Sequence, residues 1–204
     1  MDGALHGPSV GAARKHHVGI SQRSSDNNGL SMDAAAIRAI VNPHKKWRLG
    51  QRGGSRADLR NAELREAELS WVDLSGADLR NADLTAANLS FSTLCDANLS
   101  GASMERATLY GANLTGAELS RVTLPRATVE RAQLNHANLA YANLSSSNLK
   151  GAILVDADLR GADLRFSVVS GADLTNADLR GANLAHADLT YAVLSGVKLE
   201  GAAF

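Results

Sequence analysis

The chain has 204 residues, 45% hydrophobic and 4% aromatic, with 21 basic and 21 acidic side chains and a formal net charge of zero. That balance excludes a uniformly basic nucleic-acid binder or a polyanion; the single cysteine, Cys95, excludes a disulfide-stapled scaffold and fits a reducing, cytoplasmic compartment. No apolar run has the length of a signal peptide or a membrane span.

Residues 1–31 are rich in Gly and Ser without apolar periodicity, and are expected to form a disordered extension. Met32 offers a second reading, in which the natural chain starts there. Asp2 and Asp26 argue against an organellar transit peptide. Residues 32–56 read as a helical cap and linker. "DAAAIRAI" over 33–40 predicts a short helix with Asp33 as N-cap, ended by Asn42-Pro43, and "HKKWRLG" adds one further turn before Gly50. Ile37, Ile40 and Trp47 are the candidates to cover the apolar end that begins at Leu59 and Leu64. The alternative use of this segment is phosphate contact through Lys45, Lys46 and Arg48.

From residue 57 the chain repeats every five residues. Counting from Leu59 there are thirty central positions without an insertion, twenty-six of them Leu; the others are Met104, Val129, Val169 and Phe204. Two residues upstream, twenty-four of thirty are Ala and the rest are Val or Ser. Five residues advance a helix by about 500°, which scatters the leucines around its axis. On a strand, Ala and Leu share one face, but the next Ala falls on the other. The chain must therefore turn a corner once per repeat to keep both inward.

The pattern A-[D/N]-L-x-x over residues 57–204 resembles the pentapeptide-repeat family. The resemblance implies corners of roughly a right angle and a right-handed quadrilateral β-helix, an all-β solenoid of about seven and a half coils at twenty residues per coil. The junction "HKKWRLGQRGGSRADLRNAEL" is similar to one in phage and bacterial members, where a short helical segment precedes the first coil.

Nothing in the sequence gathers into catalytic chemistry. Cys95 points outward and has no histidine in reach, the six histidines have no metal-ligand spacing, and no glycine loop is built for phosphate. A filled square core leaves no room for a small-molecule substrate. The expectation is a protein that is not an enzyme, without cofactor or membrane partner, whose function lies on its outer surface.

That surface has two distinctive features. The residue before each central Leu is acidic near both ends of the repeat region and mostly neutral between 88 and 153, where Arg106, Arg121, Arg126 and Arg131 belt the waist. Trp71 and Phe91, twenty residues apart, should stack, with Tyr110 close to the next coil and Tyr141 over Arg121 as a cation–π pair. These eight residues are the candidate partner surface. The leading expectation is a rigid scaffold for protein–protein interaction.

Some members of the resembled family imitate DNA and occupy DNA gyrase or topoisomerase IV, as in quinolone resistance, and this is the alternative. Arg60, Arg80, Arg160 and Arg180 interleave with acids on one face and weaken the likeness to phosphate. A second alternative is nucleic-acid binding through the basic N-terminal arm: residues 1–56 hold nine Lys/Arg against three Asp. The apolar end around Leu199 and Phe204 suggests an end-to-end homodimer.

Overall fold

The computed structural model describes residues 34–204, so the expected disorder of 1–31 and the Asp33 N-cap lie outside the described residues. From Asp58 onward the backbone pairs with itself at one spacing. Twenty-six single-residue parallel bridges link residues twenty apart, from Asp58–Asp78 to Asn183–Ala203. Four pentapeptides therefore make one coil, and the repeat region is a β-solenoid.

Between the first and last coils, four of a pentapeptide's five amides are committed in a fixed way. The Leu59 N–H donates to Asp78 O at 2.7 Å, Asn61 N–H to Arg80 O at 2.9 Å, and Asp78 N–H back to Ala57 O at 3.0 Å. The Ala62 N–H closes a turn on Leu59 O at 3.1 Å. One amide per repeat remains, that of the residue after the central Leu. In seventeen repeats the side chain before the Leu accepts it: Asn113 Oδ1, for example, takes the Thr115 N–H at 3.1 Å. This is why Asp or Asn recurs there: the short polar side chain reaches its own backbone two residues on.

The corner is the second consequence of the repeat. Every fifth residue from Asn61 to Gly201 has φ between 55° and 74°, nineteen of them not glycine. With the bond from Ala62 to Leu59, this is the pattern of a type II turn, which needs positive φ at its third residue.

The central side chains stack inward. Leucines from Leu59 to Leu184 and the alanines two residues before them, Ala62 only partly, are buried in one continuous core. Where Ser replaces Ala at 92, 147 and 167, its buried hydroxyl donates to the carbonyl three residues earlier, at 2.7, 2.5 and 2.6 Å. The small slot thus admits an oxygen only because the turn supplies an acceptor.

One helix, α1 (Ala34–Arg48), precedes the coils. It runs through Pro43 instead of ending at Asn42-Pro43. An interior proline costs about 3 kcal/mol or more, and contacts with the chain leading into the first coil offset it. The Ala57 N–H donates to His44 Nδ1 at 3.0 Å, and Ser55 N–H donates to Pro43 O at 3.1 Å. Ile37 is buried with the core, and Ile40 and Val41 pack partly buried beside it, facing Leu59, Leu64, Leu69 and Leu74 across a narrow apolar gap. Trp47 is placed otherwise than its apolar ring suggests. It is 41% exposed, lies against the Gly76 corner and stacks on His44 at 5.3 Å. The residue buried at the junction is His44.

Neighbouring substitutions separate core from turn. Leu114→Ala should lower stability by about 2–5 kcal/mol through lost burial and a cavity. Asn113→Ala, which removes the acceptor of the Thr115 N–H and hydroxyl but no core contact, should cost about 1 kcal/mol. Urea unfolding followed by far-UV circular dichroism measures both.

Candidate functional site

Residues at the corners with positive φ form columns along the solenoid, each side chain twenty residues from the next. One column runs Trp71, Phe91, Gly111, Arg131. The Trp71 and Phe91 rings stack at 4.4 Å and 15°, and Phe91 meets Tyr110 edge-on at 5.4 Å and 78°. Gly111 lies under Phe91: a Cβ there would fall 2.9 Å from the ring. Arg131 returns over Tyr110, its Cζ 5.9 Å from the centroid. Trp71, Phe91, Tyr110 and Arg131 therefore form one continuous cluster, with Trp71 74% and Phe91 42% exposed.

The other four candidate surface residues belong elsewhere. Arg121 lies over Tyr141 at 6.0 Å on a second corner. Arg106 and Arg126 occupy a third, where Glu105 lies 4.0 and 3.5 Å away. The belt of arginines is thus spread over three corners. At the far end Leu199 and Phe204 are exposed.

Several surface residues were not visible as such in the sequence. Phe166 and His186 stack at 4.8 Å and 19° on the corner column of Arg106 and Arg126. Ile153, Val168 and Val193 are exposed where the repeat calls for Asp or Asn. An aliphatic side chain at the turn-capping position is the signal that would have found them.

The acidic residues are locally engaged. Arg80 grips Asp78 with two bonds, Nε–Oδ1 at 2.8 Å and Nη2–Oδ2 at 2.7 Å, and Arg60, Arg160, Arg165 and Arg180 do the same to Asp58, Asp158, Asp163 and Asp178. Arg65 reaches across to Asp83 at 2.6 Å. The Arg180 guanidinium holds the Asp178 carboxyl down at about 2, and Arg80 holds Asp78 below the usual range by the same means. Cys95 is half-buried and burial pushes its thiol up, away from the reactive thiolate. Among the described residues no group of three His, Cys, Asp or Glu converges as a metal site, and no helix is long and apolar enough to cross a membrane.

Comparison with known proteins gives a consistent result. Residues 55–90, 87–124, 130–165 and 170–204 match the family described as pentapeptide repeats (8 copies). Among solved structures the chain is similar to HetL, a pentapeptide repeat protein involved in heterocyst differentiation regulation from the cyanobacterium Nostoc sp. strain PCC 7120. Identity is 28% over 84% of this chain and 96% of that one, with a TM-score of 0.46. It is also similar to the pentapeptide repeat protein Rfr23 from the cyanobacterium Cyanothece 51142, at 35% identity over 50% and 63% of the two chains and a TM-score of 0.34. Full-length QnrB1, a plasmid-mediated fluoroquinolone resistance protein, matches at 22% identity over 66% and 78%, with a TM-score of 0.31. No curated protein matches.

The depressed carboxyls give a signed pH dependence. Their contribution to stability is complete above the unfolded value near 3.9 and lost as pH falls through the folded values. Thermal unfolding at pH 4, 3 and 2 should show a decline that Asp178→Asn makes shallower. At neutral pH that substitution should cost about 1 kcal/mol, since amide oxygen still caps the turn and the lost ion pair is screened on the half-exposed Arg180 side. Asp178→Ala, which removes both, should cost more.

Proposed function

The chain belongs to the pentapeptide-repeat family, and from that premise we propose that it is a non-enzymatic scaffold offering corner side chains to a protein partner. In this reading residues 57–204 form a right-handed quadrilateral β-helix of about seven and a half coils. Residues 32–56 are its helical cap and linker, 1–31 an extension, and the protein works in a reducing cytoplasm, where lone Cys95 stays a thiol. The one observation that carries the proposal is the Trp71–Phe91 stack. An indole at a corner of positive φ costs about 1–2 kcal/mol relative to glycine, and stacking offsets part of that. Yet Trp71 remains 74% exposed, with Phe91 against one ring face. Clustered exposed aromatics beside an arginine are the composition of interface hot spots.

The DNA-imitating alternative, binding to DNA gyrase or topoisomerase IV, has less support. Imitation needs carboxylates whose charge reaches outward, and those of Asp58, Asp78, Asp158, Asp163 and Asp178 are each gripped by an arginine. An end-to-end pair through the rung of Leu199 and Phe204 is compatible with the scaffold reading; a monomer in concentrated sedimentation equilibrium removes it.

Capture from native host extract with the full chain, beside a Trp71→Ala/Phe91→Ala variant, tests the scaffold. A protein retained by the former and reduced at least about tenfold with the latter, a loss of roughly 1.4 kcal/mol, is expected. Equal retention moves the interface off this corner, and recovery of a topoisomerase subunit restores the alternative.

A further inference from the structure

His44 is the one ionisable side chain fully buried among the described residues, at 0% exposure. It lies in the second half of α1, beyond Pro43, where the helix touches the start of the solenoid. Its Nδ1 accepts the Ala57 N–H at 3.0 Å, so the ring is neutral with its proton on Nε2. Nε2 is buried and makes no hydrogen bond of ordinary length and angle, with the Ser75 backbone beside it. One ring face stacks on Trp47. Three charged groups surround the site. Arg48 comes from α1 itself; from the other side come Arg56, whose Nε donates to Gly76 O, and Asp73, which pairs with Arg48 at 3.4 Å. Asp73 is further engaged by the buried Ser75, whose N–H and hydroxyl both donate to its Oδ1, at 2.9 and 2.6 Å.

We infer that His44 makes α1 an acid-released cover, docked on the first coil when the imidazole is neutral and detached when it is protonated. A proton on Nδ1 turns the acceptor of the Ala57 N–H into a second donor, so two N–H groups would face each other at 3.0 Å. It also places a charge where burial leaves no water to solvate it, and the nearest carboxylate is already committed to Arg48 and Ser75. Burial pushes the imidazole below its ordinary value, Asp73 and the Ser75 backbone oppose it, and Arg48 and Arg56 add to the lowering. The sign follows. A histidine depressed in the docked state stabilises docking fully above its free value near 6.5 and loses that contribution as pH falls through the docked value. Release is local because α1 meets the solenoid at one end only, and the coils hold each other independently. Detachment takes Ile37 off Leu59, Leu64, Leu69 and Leu74 and opens an apolar rung to a second molecule.

The inference rests on α1 covering the first rung, and one experiment tests the two claims separately. Backbone hydrogen exchange of the full chain, corrected for intrinsic rates, is followed by mass spectrometry at pH 7.5, 6.5 and 5.5. Residues 34–48 should be protected at pH 7.5, and as pH falls from the free value near 6.5 toward the docked value should lose protection at up to about tenfold per pH unit, the limit for uptake of one proton. Residues 94–144 should not change. His44→Asn keeps an acceptor for Ala57 but cannot titrate, and should abolish the pH dependence. An unprotected α1 at pH 7.5 would mean that it is no cover. A protected α1 that stays so at pH 5.5 would leave the cover standing and overturn acid release. If His44→Asn does not dock at any pH, the His44 ring resonances of the unaltered chain decide: they must titrate together with the loss of α1 amides, and titration without that loss overturns the inference.

Discussion

Everything in this solenoid depends on one backbone constraint, a residue of positive φ at every fifth position. The spacing of Ala and Leu needs a corner, and the corner needs that conformation. Glycine meets it freely and Asn, Asp and His tolerate it, which accounts for most corners. The exceptions are Glu66, Ala86, Ser146 and the aromatic and arginine corners, and the last two kinds are where the surface acquires character. Because each corner points outward and lies twenty residues from the next, a bulky side chain meets the corner of an adjacent coil. Trp71 finds Phe91, Phe91 finds Gly111, and Tyr141 finds Gly161, where a Cβ would come within 2.7 Å of the ring. Each aromatic corner with a successor twenty residues on is thus followed by another flat ring or by glycine.

The second constraint is accounting of amides. Four of five N–H groups in a repeat are used by neighbouring coils and the turn; in seventeen repeats the fifth falls to the side chain before the leucine, which is Asp or Asn in all but Glu118. The acids that look in sequence like a charged surface are therefore first of all turn caps. Their further engagement by Arg60, Arg80, Arg160, Arg165 and Arg180 spends the remaining oxygen lone pairs locally. A rod with this many acids can be electrostatically quiet at close range.

These two constraints explain how much was legible in the sequence. The thirty-fold period gives inward and outward positions, and the twenty-residue column then follows once four repeats close a coil, so the Trp71–Phe91 and Arg121–Tyr141 neighbours could be named. The course of α1 could not. Pro43 normally ends a helix, and its tolerance depends on bonds from Ser55 and Ala57 that no local pattern encodes. His44 was overlooked for the same reason: its burial comes from tertiary docking, while its sequence neighbours are lysines. The exposed Ile153, Val168 and Val193 were not singled out because the position before the leucine was read for its charge and not as the turn cap that an aliphatic side chain leaves empty.

The twenty-residue column also fixes what insertions can do. Adding a whole coil of four pentapeptides would lengthen the rod and leave every column intact. Adding one pentapeptide would keep the core leucines in place but turn all downstream surface by a quarter. Phe166 and His186 would move together to the next corner, away from the column of Arg106 and Arg126 that they now extend. The interior tolerates any multiple of five, whereas a binding surface spanning several coils is defined only modulo twenty. Surface sites on such a rod have a phase, and that phase can be shifted without disturbing the fold.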